Sequence, residues 1–293
     1  MISCIILSGG LSRRFRDNTQ RVSDKALYMI DGAPMIIHVL NKLSNICDYK
    51  NIMISVRDSS QKNLYKKYLR EYSEKILLLE DLLKNYGPLG GLYTTLRESR
   101  SDYVIVVPND MPFIDKGMLK DLLRIAESQL YDIVSPMLSN TMIESLVIVS
   151  KTDVLKRYIN LLIKYERKKA LDLHRAASSL YLFNTESHGY NYVSLKNINY
   201  EKDLYINKIP RKIVDNDVYI SRGFDLNDIE RDGLDQARES LWSTLKKSSY
   251  CDELDLYLER RLIHLAIHVL REDPLIKRSL EEAYDLIDKI FWI

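Results

Sequence analysis

The stretch that most constrains this chain is Cys4 to Leu27, CIILSGGLSRRFRDNTQRVSDKAL. A short apolar run leads into Gly9 and Gly10, an arginine pair follows at Arg13 and Arg14, and Lys25 precedes the next apolar segment. Residues 3–7 read as a strand buried on both faces, because the run lacks the polar alternation of a strand with one wet face. Paired glycines after such a strand either make a tight turn or let a phosphate approach backbone N–H groups with no Cβ in the way. Arg13, Arg14 and Lys25 are the cations that a polyphosphate would need there.

The same strand-then-loop pattern recurs along the chain. Asn51 to Val56, Lys75 to Leu79 and Tyr103 to Val107 predict further buried strands. Helices are predicted from Pro34 to Ser44, over 60–72 with Leu64, Tyr68 and Leu69 inward, from Gly87–Gly91 (GPLGG) through Leu96, over 116–128 and over 153–166. Strands near 133–135, 145–149, 180–183 and 192–195 would complete the sheet. Such alternation builds an α/β sheet, largely parallel, whose ligands lie beyond the carboxyl ends of the strands. Two acidic loops fall at such ends: Glu80-Asp81, just before GPLGG, and Asp110 in NDMPF. Pro108 and Pro112 fix the backbone around Asp110, and a held carboxylate there suits Mg²⁺ against phosphates. Asp115 is expected to cap the next helix, which leaves Asp110 for other work. The glycines of GPLGG mark either a tight turn or a close backbone approach to a ligand or a neighbouring element.

Composition narrows the class. A net charge of +2 over 293 residues gives no argument for a nucleic-acid partner. No apolar run reaches the ~18 residues of a spanning helix, and the start shows no basic leader, so a cytoplasmic protein away from membranes is expected. Cys4, Cys47 and Cys251 form no CxxC pair and read as separate buried thiols. His38 and His264 sit in amphipathic helical contexts and read as ordinary helix residues. Lys164, Arg167, Lys168 and Lys169 form either a solvated helix end or an approach to an anion. After about residue 207 the pattern becomes mainly helical, in pieces near 234–247, 253–271 and 279–291. These must pack on the sheet domain, on each other or on a partner. Two domains are therefore expected, 1–206 and 207–293.

Taken together, LSGG with its following arginine and DKAL (Leu7 to Leu27), ED…GPLGG (Glu80 to Gly91) and NDMPF (Asn109 to Phe113), with a weaker NINYEKDL at Asn197 to Leu204, resemble the MobA-like nucleotidyltransferases. The best-known members of that family are the molybdenum cofactor guanylyltransferases. The resemblance implies a three-layer α/β/α Rossmann-like nucleotidyltransferase domain with a mostly parallel sheet, to which this chain adds a C-terminal helical region. It implies that Leu7, Ser8, Gly9, Gly10, Arg13 and Arg14 surround nucleotide phosphates, with Gly87 nearby. Lys25 would hold the α-phosphate region, Asp81 would help recognise the base, and Asp110 would be the Mg²⁺ ligand; Lys25, Asp110 and Arg13 form the implied catalytic set. Family members move a nucleoside monophosphate from a triphosphate to an acceptor phosphate and release pyrophosphate, here implying GTP and molybdopterin or a related compound. The alternatives are a cobinamide, sugar or polyol phosphate acceptor, or a nucleotide-binding assembly protein without turnover. A homo-oligomer or a protein partner would engage the C-terminal helices. The chain departs from the family in the inserted segment Arg16–Ser23, in Val56 where an asparagine is usual, and in Glu144-Ser145-Leu146 where His-Pro-Leu is usual.

Overall fold

A computed structural model describes residues 1–9, 24–72, 74–205, 207–221 and 250–272, and beyond these 276, 278–279, 281, 283, 288–289 and 291–292. Gly10, Arg13, Arg14, the insertion Arg16–Ser23, the helix expected over 234–247 and parts of that expected over 279–291 lie outside the described residues, as does the side chain of Cys251.

Eight strands form one sheet in the order β5-β4-β1-β6-β8-β7-β9-β10. These are β1 (Ile2–Leu7), β4 (Ile52–Val56), β5 (Leu77–Glu80), β6 (Tyr103–Pro108), β7 (Ile133–Met137), β8 (Ile148–Lys151), β9 (Ser179–Asn184) and β10 (Val218–Ser221). Only β8 and β10 run against the other strands. A small hairpin, β2 (Met29–Ile30) and β3 (Ala33–Pro34), turns at Asp31-Gly32. Alternation along each central strand feeds two cores: Cys4 and Ile6 face one side, Ile5 and Leu7 the other. The first side is covered by α1 (Met35–Leu43), α2 (Ser59–Tyr68) and α4 (Lys116–Glu127). The second is covered by α3 (Pro88–Glu98), α5 (Thr152–Lys164) and α6 (Leu171–Ala176), joined by Tyr257, Leu265 and Val269 of α7 (Tyr250–Glu259) and α8 (Ile263–Leu270). The described tail helices therefore bury their apolar stripe on the sheet. No helix among the described residues is long and apolar enough to cross a membrane.

Four expectations are corrected. Residues 192–195 form a single 3-10 turn, started by the Asn191 side chain accepting from the Val193 N–H, and the sheet ends instead on β9 and β10. The inward face of α2 is Gln61 and Tyr65, continued by Leu69, whereas Leu64 and Tyr68 face solvent. Apolar pattern misses this face because Gln61 and Tyr65 are buried with their polar tips hydrogen-bonded. The helix expected over 253–271 is two helices, broken where Arg261 takes a positive φ of 57°. Cys4 and Cys47 are joined in a disulfide. Packing of α1 on β1 brings their Cα atoms to 6.2 Å despite a separation of 43 residues, which spacing along the chain does not reveal.

Register sets the next level. Leu7 pairs with Ser55 and Pro108, and Ser55 with Leu79, so the parallel strands end together. The chain runs from β1 to β4 on one side and later to β6 on the other. This reversal opens a crevice beyond Leu7, the place where open α/β sheets bind ligands.

Candidate active site

The loops after β1, β4, β5 and β6 enclose a cleft of about 600 Å³ lined by Leu7, Gly9, Lys25, Asp81, Gly87 and Asp110 among others. Six residues singled out from sequence, far apart along the chain, thus meet in one place. Ser8 is the exception among the described candidates, since it is buried and turned into the scaffold. Its Oγ accepts from Asn109 Nδ2 at 2.5 Å and bonds the Tyr65 hydroxyl, and its carbonyl accepts from Gln61 Nε2 at 2.9 Å. Gln61 Nε2 also reaches Asp24 Oδ2 at 2.5 Å, and the Tyr65 hydroxyl donates to Asp24 Oδ1 at 3.1 Å. Helix α2 thereby ties the residue before the glycines to the residue before Lys25. Asp24 in turn caps the 3-10 turn Lys25–Leu27 by accepting from the Ala26 N–H.

From that turn Lys25 Nζ donates to Asp110 Oδ2 at 2.5 Å and to Asn199 Oδ1 at 3.0 Å. Asp110 follows β6, and its carbonyl is held by the Ile198 N–H at 2.8 Å. Its second carboxylate oxygen, Oδ1, is buried with no hydrogen-bond partner. Such an oxygen costs free energy unless something else satisfies it. A hard cation meets that need with the oxygen donor it prefers, so the donor set fits Mg²⁺.

Across the cleft, Asp81 prolongs the β4–β5 ladder through its N–H to the Val56 carbonyl at 2.8 Å. Its Oδ1 is likewise buried without a partner, and burial pushes its pKa up to about 6 against the opposing pull of Lys84 and Arg57. A Cβ on Gly9 would meet Asp81 Oδ2, so a side chain there would push the carboxylate tip out of its place. Gly87, at φ 55° and ψ −142°, starts α3 in a conformation that a side chain would strain. A Cβ on Gly91 would come within 2.5 Å of Ser55 Oγ, which makes that glycine a packing requirement between α3 and β4.

Three residues of the site were not chosen from sequence as site residues. Glu144 lies in the cleft wall, where burial, and after it the nearby Asp110 charge, push its pKa up to about 7; its Oε2 accepts from Asn197 Nδ2 at 2.6 Å. Asn197 and Asn199 come from the NINYEKDL stretch, so that motif and the Glu144 departure were the available signals. Local pattern says nothing of contacts spanning 53 and 174 residues. The two histidines are structural: His38 Nε2 bonds the Ile30 carbonyl, and half-buried His264, its pKa lowered to about 4 chiefly by desolvation, accepts from the Ile143 N–H. A larger hollow of about 710 Å³ at the opposite end of β1, around Met1, Asp48 and Lys151, has no glycine in its wall and none of these side chains.

A crevice at the strand ends with glycine loops, a fixed cation and an unsatisfied carboxylate belongs to the nucleotidyltransferase class of α/β folds. Solved structures agree on the fold. Molybdopterin-guanine dinucleotide biosynthesis protein A from Archaeoglobus fulgidus superposes with a TM-score of 0.55 at 23% identity, covering 70% of this chain and 95% of that one. The bifunctional IspDF from Campylobacter jejuni gives 0.53 at 16%, covering 69% and 53%. The profile of the MobA-like NTP transferase domain matches residues 4–178, and the chain belongs to that family. Among curated relatives, the molybdenum cofactor guanylyltransferase of Shewanella frigidimarina is 34% identical over 134 residues, 45% of this chain and 60% of that protein. The probable molybdenum cofactor guanylyltransferase of Methanosarcina acetivorans is 34% identical over 122 residues, 41% and 51%. The matched part spans between half and two thirds of these relatives' own length.

Proposed function

We propose that the protein is a magnesium-dependent nucleotidyltransferase that moves GMP from GTP to molybdopterin or a related phosphorylated small molecule. The observation that carries this reading is the contact of Lys25 with Asp110 at the strand ends while Asp110 Oδ1 stays buried and unbonded. In the reaction an oxygen of the acceptor phosphate attacks the α-phosphorus of the triphosphate. The bond from the α-phosphorus to the bridging oxygen breaks, and pyrophosphate leaves with the electron pair. No protein nucleophile is needed; positioning and fixed charge do the catalysis.

Lys25 neutralises the negative charge that grows on the α-phosphate and the leaving group, and Asp24, held by Gln61 and Tyr65, keeps it in place. Gly9 leaves room for phosphate beside the backbone, and Asp81 offers acceptor oxygens to the donors of a base edge. Asp110 is the residue to hold Mg²⁺, which when bound would offset phosphate charge. The same reading gives Gly10, Arg13 and Arg14 roles around the phosphates, places the reaction in the cytoplasm, and has residues 207–293 act as a region that covers the acceptor side.

Incubation with Mg²⁺, each nucleoside triphosphate in turn and a panel of phosphorylated acceptors, with pyrophosphate as readout, tests it. Release with GTP and a pterin phosphate is the expected result. Tight triphosphate binding without release for any acceptor would replace the reading with that of a nucleotide-binding protein.

A further inference from the structure

The Cys4–Cys47 disulfide closes a ring of chain, and that ring contains Gly9, Gly10, Arg13, Arg14 and Lys25. One side of the ring is β1, which carries Cys4 within it and the glycines beyond its end. The other side is α1, whose nine residues make a rod of about 14 Å. At its start α1 is tied to the chain that leaves the Lys25 turn. The Met35 N–H donates to the Tyr28 carbonyl at 2.8 Å, and His38 Nε2 bonds the Ile30 carbonyl at 2.8 Å. Ala26, in the turn itself, is buried in the same core as Ile36, Val39 and Leu40. Past the end of α1, the N–H groups of Ile46 and Cys47 both donate to the Leu43 carbonyl, at 2.8 and 2.9 Å, and Cys47 meets β1. The bond therefore bolts to β1 the far end of a rod whose near end carries the Lys25 turn.

The two sulfurs differ in access. Cys4 is wholly buried, whereas Cys47 lines the hollow of about 710 Å³ at the opposite end of β1. The wall there carries charges of both signs, Asp48 and Asp102 with Lys50 and Lys151 among them, and turns away neither a cationic nor an anionic reagent. A thiolate entering from solvent thus meets Cys47 first. Helix α1 does not depend on the bond for its place, since Ile36, Val39, Leu40 and Leu43 are fully buried and keep it packed when the bond opens. In the reducing compartment proposed above, disulfides that form are mostly in exchange with thiols. We propose that the Cys4–Cys47 pair is a thiol–disulfide switch that positions the Lys25 turn, with a dithiol as its reductant. A thiolate of the dithiol attacks Cys47 Sγ, the S–S bond breaks, and Cys4 leaves with the electron pair and takes up a proton. The second thiol of the reductant then attacks the reductant's own sulfur in the mixed disulfide and releases Cys47, so that two electrons pass to the protein. With the ring open, the turn loses a constraint that preorganises it, and phosphate is bound less tightly. That last consequence rests on the reading of the cleft as a nucleotide site.

The full chain, oxidised or treated with dithiothreitol without denaturant, tests it by thiol counting, amide hydrogen exchange and calorimetric titration with GTP and Mg²⁺. Dithiothreitol should add two free thiols per chain. Exchange at the amides of Leu27, Tyr28 and Met35, which close the turn and its tie to α1, should quicken about tenfold. Amides of β9, toward the far edge of the sheet, should stay within about twofold. The Kd for GTP should rise about fivefold and return on reoxidation. Cys47→Ser should match the reduced protein and no longer respond to dithiothreitol; if it fails to fold, the wild-type measurements decide alone. A bond that dithiothreitol leaves intact in the folded protein overturns the proposal. Exchange that quickens equally in β9 overturns it too, because the bond is then a staple for the whole fold. So does GTP affinity that is the same in both redox states. If GTP binds neither form while the exchange pattern holds, the nucleotide reading falls and the hold of the bond on the Lys25 turn stands.

Discussion

Two clusters of charge in this molecule are built on opposite rules. In the cluster between α6 and the tail helices, each carboxylate is matched. Arg175 grips Glu253 with Nε to Oε1 and Nη2 to Oε2, both at 2.9 Å, and its Nη1 lies 2.9 Å from Glu272. Arg167 bonds both oxygens of Asp172 at 2.8 and 3.0 Å and also reaches Glu272. Burial alone would raise the Asp172 pKa, but hydrogen bonds from His268 and Arg167 outweigh it and hold the carboxyl well below the usual range. Asp172, His268 and Glu272 come close enough to suggest a metal, yet the two guanidiniums already supply the positive charge. In the cleft, by contrast, Asp81 and Asp110 each keep a buried oxygen without a hydrogen-bond partner. Matched charge fastens one element to another; unmatched charge costs stability and is available to a ligand.

The contrast breaks first at Arg175. Replacing it with Met leaves Glu253 buried without its bidentate partner, and should cost about 3–5 kcal/mol in urea unfolding. A loss below about 1 kcal/mol would show that the cluster is incidental to the attachment of the tail. Lys25→Ala removes a less buried cation from the cleft and should behave in the opposite way. Pyrophosphate release should fall about 10²–10³-fold, the equivalent of one preorganised donor, with little movement of the unfolding midpoint. Asp110→Asn should match it in activity. Turnover within about threefold of wild type in either variant would remove that residue from the mechanism.

The two clusters also differ in how legible they were. The cleft was readable because its parts are short motifs at strand ends: glycine loops, Lys25 in DKAL, Asp110 between prolines. Each marks a backbone or charge requirement that local sequence states directly. The tail cluster was not. Arg167 stood in a run of cations that reads as a solvated helix end, and its partners Asp172 and Glu272 lie 5 and 105 residues away. The same limit hid the Cys4–Cys47 bond, the pairing of Glu144 with Asn197, and the buried face of α2. Gln61 and Tyr65 look like surface residues until their tips are seen bonded to Ser8 and Asp24.

That hydroxyl network joins the two rules, since it is matched like the tail cluster but serves the cleft. Tyr65→Phe keeps the ring and removes the donor to Asp24. It should cost about 1–2 kcal/mol in unfolding and raise KM for the triphosphate, because Asp24 then holds the Lys25 turn less firmly. A stability loss with unchanged KM and kcat would make the network purely structural.

The smallest expected effect has the opposite sign and probes the unmatched rule directly. Asp81 has its pKa raised from 3.8 to about 6, chiefly by burial. A carboxyl raised on folding is a liability above its folded pKa, because the folded state must hold a charge that the unfolded chain holds more easily. The liability is therefore largest above about pH 6 and is relieved as pH falls through that value toward the unfolded pKa near 4. Asp81→Asn removes it. After a discount for the partial exposure of this side chain, the variant should be about 1 kcal/mol more stable than wild type at pH 7.5, with the gap closing toward pH 4. Isothermal urea melts across that range measure the gap. A variant less stable at every pH would mean that Asp81 is matched after all, and the cleft would then follow the same rule as the tail cluster.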